Sequence, residues 1–313
     1  MRISHRVIDM ATRSTGSRQN GKAGQAGKAG QTAKAGGRAA ARATGDSLHE
    51  RWERLHLTDR EPWPDERFIG RLAKQHRGFA TWLESTQGAA SVARDLQNAW
   101  DKFHCGDFAA AIDDGSDLGA LGATVANKAA AVHSLNSKRG SPHELQLLDA
   151  AVKRGEQAIH VLPDYANGHY TLALALGRYS QGLSILKALA EGIAGRVRTH
   201  LERTLDLEPR HAEAHVAFGL YHAEIVNKLG ALAAGLTYGA SADAALIHLR
   251  QAAKLAPGSP IIHIEHANGL MLLDADRYRA QARELYAEAA AVEPADEMER
   301  LDVERARRGL PAA

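Results

Sequence analysis

Four prolines constrain this chain more than any other feature. AIHVLP ends at Pro163, TLDLEP at Pro209, AAKLAP at Pro257 and AAAVEP at Pro294, and each closes an apolar run. Proline lacks an N–H and clashes with the preceding turn, so each marks a helix exit. Counting back from each proline, the twelfth residue is Ala151, Val197, Ala245 and Ala282; the eighth is Gly155, Leu201, Leu249 and Tyr286; the fifth is Ala158, Thr204, Ala252 and Ala289. Counting forward, the sixth is His169, His215 and His263, and the tenth is Ala173, Gly219 and Ala267. Small residues at fixed distances from a helix stop define a unit of helix, turn, helix and proline. One such unit cannot bury its apolar face alone, so a run of them must stack.

The stretch LQNAWDKFHCGDFAAAI, with Gly106, Asp107, Phe108 and Ala111, reads as a further turn and second helix. Together with 121–136 and 144–161 this predicts five helix pairs. The pattern resembles the tetratricopeptide repeat, whose small residues lie where two antiparallel helices cross. The resemblance implies an all-α, right-handed helical solenoid with an N-terminal helical cap. Successive prolines lie 46, 48 and 37 residues apart, against a usual period of about 34. Two units therefore carry extra residues. These fall in GRYSQGLSILKALAEGIAGRV and GLYHAEIVNKLGALAAGLTYGASADA, which read as lengthened Gly/Ala-rich helix ends. Extended repeats of this kind, with AHVAFGLYHAEI, LTYGAS, AALIHLRQAAKLAPGSP and ARELYAEAAAVEPADEMERLD, are similar over roughly 93–308 to two groups. One is the T-component of periplasmic tripartite transporters, with a lipophilic pore. The other is the regulator-of-microtubule-dynamics family of repeat proteins.

Charge divides the chain. Residues 1–46 hold Arg2, Arg6, Arg13, Arg18, Lys22, Lys28, Lys34, Arg38 and Arg42 against Asp9 and Asp46, whereas the whole chain is only +2. The run NGKAGQAGKAGQTAKAGGRAAARATG lacks large apolar side chains and cannot offset the entropy of ordering, so a disordered basic tail is expected over 1–46. Lysines spaced singly without aromatics are weak phosphate readers, and nucleic acid is not the expected partner. From Ser47 the sequence turns aromatic and charged. Pro62 and Pro64 interrupt it, and Phe68, Ile69, Leu72, Phe79, Trp82 and Leu83 then recur at helical steps. We expect a helical cap over 47–89 and the solenoid over 90–313. Cys105 is the one cysteine, which excludes a disulfide framework or a CxxC pair. No apolar run suits a membrane span or a secretory signal, so a cytoplasmic protein is expected.

The chain lacks GxSxG, GxxxxGK[ST] and GxGxxG motifs, and no enzyme activity or cofactor is expected. Two histidine pairs have metal-ligand spacing, His211 with His215 and His263 with His266. Neither is HExxH, and because His169, His215 and His263 share one repeat position, packing explains them and no metal is expected. Polar residues on the extended segments, Arg178, Tyr179, Gln181, His215, His222, Glu224, Asn227, Lys228 and Tyr238, are the candidates for contact with a partner or ligand. Two readings follow. A concave face would bind a protein or peptide partner. Alternatively, Leu183, Ile185, Leu186, Ile225, Leu229, Leu232 and Leu236 would line a site for an apolar small molecule between long helices. Ser241 is expected to cap the helix after the second extension.

Overall fold

The structure is a computed structural model that describes residues 47–184, 187–188 and 191–310. The expected disordered tail, together with Ile185 and Leu186, lies outside the described residues. The described residues form fifteen α-helices and one short 3-10 turn, with no strand. Three helices precede the repeats: α1 (Leu48–Leu55), α2 (Glu66–Gln75) and α3 (Arg77–Glu84). The pairs are α4 (Ala89–His104) with α5 (Phe108–Asp117), α6 (Gly119–His133) with α7 (Pro142–Val161), and α8 (Ala166–Gly182) with α9 (Ile193–Leu207). There follow α10 (Ala212–Leu229), α11 (Ala231–Tyr238), α12 (Ala242–Leu255), α13 (Pro260–Leu273), α14 (Ala275–Ala291) and α15 (Glu297–Gly309). All five expected pairs are present, with α11 inserted into the fourth and α15 after the last.

The described residues divide into two compact units, 47–217 and 218–310. In the first unit Ala130, Ala151, Val152, Leu172, Ala175, Leu176 and Ile193 make one core, drawn from α6 to α9. Its close approaches are where the sequence is small. A Cβ on Gly155 would lie 3.0 Å from the Leu172 Cβ, and one on Gly122 would lie 2.1 Å from the Gly115 carbonyl oxygen. In the second unit the repeat's eighth position holds the large residue Leu249. A Cβ on Gly219 would lie 2.7 Å from the Leu249 Cγ, and one on Gly269 would lie 2.7 Å from its Cδ1. Leu249 is thus received by glycines on α10 and α13. Ala245 and Ala252 are fully buried beside it in α12.

The repeat histidines also have a physical role. His169 donates its Nε2–H to the Pro163 carbonyl at 2.8 Å, His215 to Pro209 at 3.1 Å and His263 to Pro257 at 2.6 Å. Each ring accordingly satisfies a carbonyl left without an intrahelical donor at the preceding helix exit. Histidine recurs six residues after proline because one bond recurs.

Two local expectations need correction. The second extension is not a lengthened helix end. Gly230, at φ 77°, stops α10, and Gly239, at φ 59°, stops the separate helix α11. Both are conformations that a side chain resists. The apolar positions at 68–83 are likewise divided between two helices, because His76 is extended and ends α2. Ser241 does cap the next helix, its Oγ accepting from Ala244 N at 3.1 Å.

With Ala252 wholly enclosed, Ala252→Leu should destabilise the protein by about 1–3 kcal/mol through overpacking. Chemical denaturation followed by circular dichroism checks this. An unchanged midpoint would show that the repeat register assigned to α12 is wrong.

Candidate functional site on the first helices

The most distinctive site arises where the segment between α1 and α2 crosses the first helices of the pairs. Ser47 opens α1 with a capping box closed by Glu50, and Trp52 on α1 donates its indole N–H to the Glu61 carbonyl at 2.8 Å. Trp52 meets Trp63 and Trp100 edge-on, with ring centroids 5.0 and 5.8 Å apart. Pro62 and Pro64 then prevent the segment from coiling into a helix. It runs instead as a strap, and its polar side chains meet residues from α4, α6, α8 and α10.

Each group on this strap is held by a named partner. The His56 Nδ1–H donates to Asp59 Oδ1 at 2.9 Å, and its Nε2 lies 3.2 Å from the Nε2 of His104 on α4. Lys128 of α6 donates to Asp59 Oδ2 at 2.5 Å and lies 3.1 Å from Glu213 Oε2 on α10. The Thr58 hydroxyl donates to Glu213 Oε1 at 2.6 Å, and Glu213 N donates to the Thr58 carbonyl at 3.0 Å. Asn167 of α8 donates to the Asp59 carbonyl at 3.0 Å and to Glu61 Oε2 at 2.6 Å. Its own oxygen accepts from His211 Nε2–H at 2.8 Å, and His211 Nδ1 accepts from Ala214 N at 3.0 Å. Tyr165 donates to the other oxygen of Glu61.

Burial sets the electrostatics. Burial alone would raise the Asp59 carboxyl, but the Lys128 ammonium and the His56 ring outweigh it and hold Asp59 well below the usual carboxylate range. Desolvation would lower Lys128, but Asp59 and Glu213 together overcome it and raise the ammonium. Glu61 has no cation of its own. Burial, followed by the nearby Asp59 charge, pushes its carboxyl up to about 8. Tyr165 serves either form of Glu61, since a hydroxyl can donate to the carboxylate or accept from the acid. Burial lowers His211 to about 4, which matches its neutral bonding pattern.

The residues expected from sequence fall in both units. Arg178 and Tyr179 are half-buried and Gln181 exposed near the end of α8, with Tyr179 packed on the first unit's core. His215 is half-buried on its Pro209 bond. The second unit holds the rest. His222 is buried with its ring 4.7 Å from Phe218 and 6.0 Å from His248. Glu224 and Lys228 pair at 2.9 Å, Asn227 is exposed, and Tyr238 is half-buried on α11. Of the apolar positions, Leu183 packs on the first core and Ile225 is half-buried, but Leu232 and Leu236 are 78% and 81% exposed. His211 and His215 do not converge; they bond separately to Asn167 and to Pro209. Among the described residues, no three or more His, Cys, Asp or Glu side chains are placed to hold a metal ion, and no helix is long and apolar enough to cross a membrane.

Sequence reasoning missed Thr58, Asp59, Glu61, Lys128, Asn167 and Glu213. One signal was present: Asn167 and Glu213 both stand four residues after a repeat proline, where a polar side chain enters the first helix.

Comparison with known proteins agrees with this architecture. The chain is similar to a thermophilic tetratricopeptide-repeat protein of Thermus thermophilus, known from its crystal structure. The TM-score is 0.50 at 18% identity, over 69% of this chain and 98% of that one. The fold is therefore that of a tetratricopeptide-like helical repeat protein. A family model described as Regulator of microtubule dynamics protein 1-3 matches residues 123–309, more than half of the chain, and the chain belongs to that family. No curated protein matches the sequence significantly.

The buried charges should register in stability. Lys128→Met should cost about 3–5 kcal/mol, because it leaves Asp59 and Glu213 without their shared cation; urea denaturation measures it. The pH dependence has a definite sign. Glu61 binds a proton in the folded state between its unfolded value near 4.5 and about 8. Taken by itself, Glu61 should make stability rise as pH falls below about 8, by at most about 1.4 kcal/mol per unit. The histidines oppose it: burial holds His56, His200, His211 and His266 below the ordinary value of 6.5, so the unfolded chain protonates them first, and the wild-type trend should level off near pH 7 and reverse in acid. Glu61→Gln should remove the Glu61 contribution, so that the variant loses stability between pH 8 and 6.5 relative to the wild type, and should leave the acid limb intact. A difference between the wild-type and Glu61→Gln melting temperatures that stays constant from pH 8 to 6.5 would contradict the assignment.

Proposed function

We propose that the protein is a non-catalytic scaffold whose first-helix surface binds a protein or peptide partner, and that it works in the cytoplasm. Membership of a helical-repeat family carries the reading, because stacked pairs present long surfaces suited to extended or helical ligands. In the first unit, the strap bonded to α6, α8 and α10 already occupies part of that surface. Partner contact is therefore assigned to the candidates away from the strap: Gln181, Glu224, Asn227 and Lys228, with Arg178, Tyr179, His215, His222 and Tyr238 as supporting positions. The proposed organisation is a basic tail over 1–46, a cap over 47–89 and repeats over 90–313. Nucleic acid is not assigned as the partner.

A second reading has one observation in its favour. Residues 229–242 carry no charge before Asp243, and Leu229, Leu232 and Leu236 are exposed there, which suits an apolar small molecule. Photo-crosslinkers at Asn227 and Gln181, compared with crosslinkers at Lys254 and Arg283 on second helices, test the scaffold reading. The same partner captured from the first pair of positions and not from the second is the expected result. No capture, together with a small-molecule adduct in native mass spectra, would favour the second reading.

A further inference from the structure

Helix α2 presents an unusual surface. Asp65 caps it by accepting from Phe68 N at 2.7 Å, and Phe68, Ile69 and Leu72 are buried. The opposite side exposes Arg67, Arg71 and Lys74, followed by Arg77 at the start of α3. Residues 67, 71 and 74 share one helix face and extend over about 10 Å at 1.5 Å per residue. Among the described residues, none of these four cations takes part in an ion pair. Several surface cations elsewhere are tied to carboxylates, among them Lys153 to Asp149 at 2.7 Å, Arg198 to Glu202 at 2.8 Å and Lys228 to Glu224 at 2.9 Å. Arg71 is further held by its guanidinium lying 5.8 Å from the Phe68 ring centroid.

We propose that this face of α2 docks an acidic segment of a partner protein, with carboxylates spaced at i, i+4 and i+7 to match Arg67, Arg71 and Lys74. Three observations select that occupant. The charge is uncompensated, on a chain whose net charge is only +2 with the basic tail included. Three of the four cations are arginines, whose planar fork pairs with carboxylates in bidentate fashion. No large hydrophobic side chain is exposed on α2 or α3, so the surface offers neither the stacking platform of a single-stranded nucleic-acid site nor an anchor for a bilayer. The surface is distinct from the first-helix residues assigned above, and the two readings can fail separately.

Fluorescence anisotropy of the full-length protein with a fluorescein-labelled hexadecamer of glutamate tests the proposal. The triple variant R67E/R71E/K74E should weaken binding about tenfold or more, while R279E/R283E on α14 should leave it unchanged. The triple variant should also gain affinity for a lysine hexadecamer, a readout that loss of folding would not produce. An R67Q/R71Q/K74Q variant with a wild-type melting curve keeps the test decisive if the reversal fails to fold. Equal losses from both reversals, or none, would overturn the proposal and leave the basic tail as the binder. Tighter binding of a single-stranded oligonucleotide, lost in the same triple variant, would overturn the choice of a protein partner.

Discussion

Lys128 is the point on which the first unit depends. A lone ammonium under α6 would be prohibitively desolvated, and Asp59 or Glu213 alone would be as costly. Together they permit a strap from the N-terminal region to cross three repeats. Because Asp59 belongs to the strap and Glu213 to α10, one cation joins residues far apart in sequence. Asn167 performs the neutral counterpart of the same task, linking the strap's backbone, Glu61 and His211.

This arrangement changes what the repeat surface offers. A stack of helix pairs normally leaves its first helices free, yet α6, α8 and the start of α10 here spend polar side chains on the chain's own strap. Among the described residues, the cations exposed on α2 have no carboxylate partner, unlike Lys153, Arg198 and Lys228. Glu61 is the weak member of the buried set: it has hydrogen bonds but no cation, and its charge is tolerated poorly.

Much of the repeat was legible because close packing dictates residue size. Gly155, Gly219 and Ala252 are small where neighbouring helices leave no space, and that demand appears at constant distance from each proline. The recurring histidine was legible as a repeat position, although its bond to the proline carbonyl was not. The candidate polar positions fared differently. Helical periodicity alone does not separate a pairing side chain such as Glu224 from a buried ring such as His222, since both lie on α10.

The order of amino acids already dictates the helices, their pairing and the places of tight contact, because these follow from proline stops, cap residues and side-chain volume acting over short range. Folding in three dimensions was needed to make α11 a separate helix with exposed leucines, and to bring Asp59, Lys128, Asn167 and Glu213 together. Their encounter depends on where a proline-stiffened strap crosses repeats, in the case of Asn167 more than a hundred residues away. No local period records that path, and the charges are tolerable in the interior only once it has been taken.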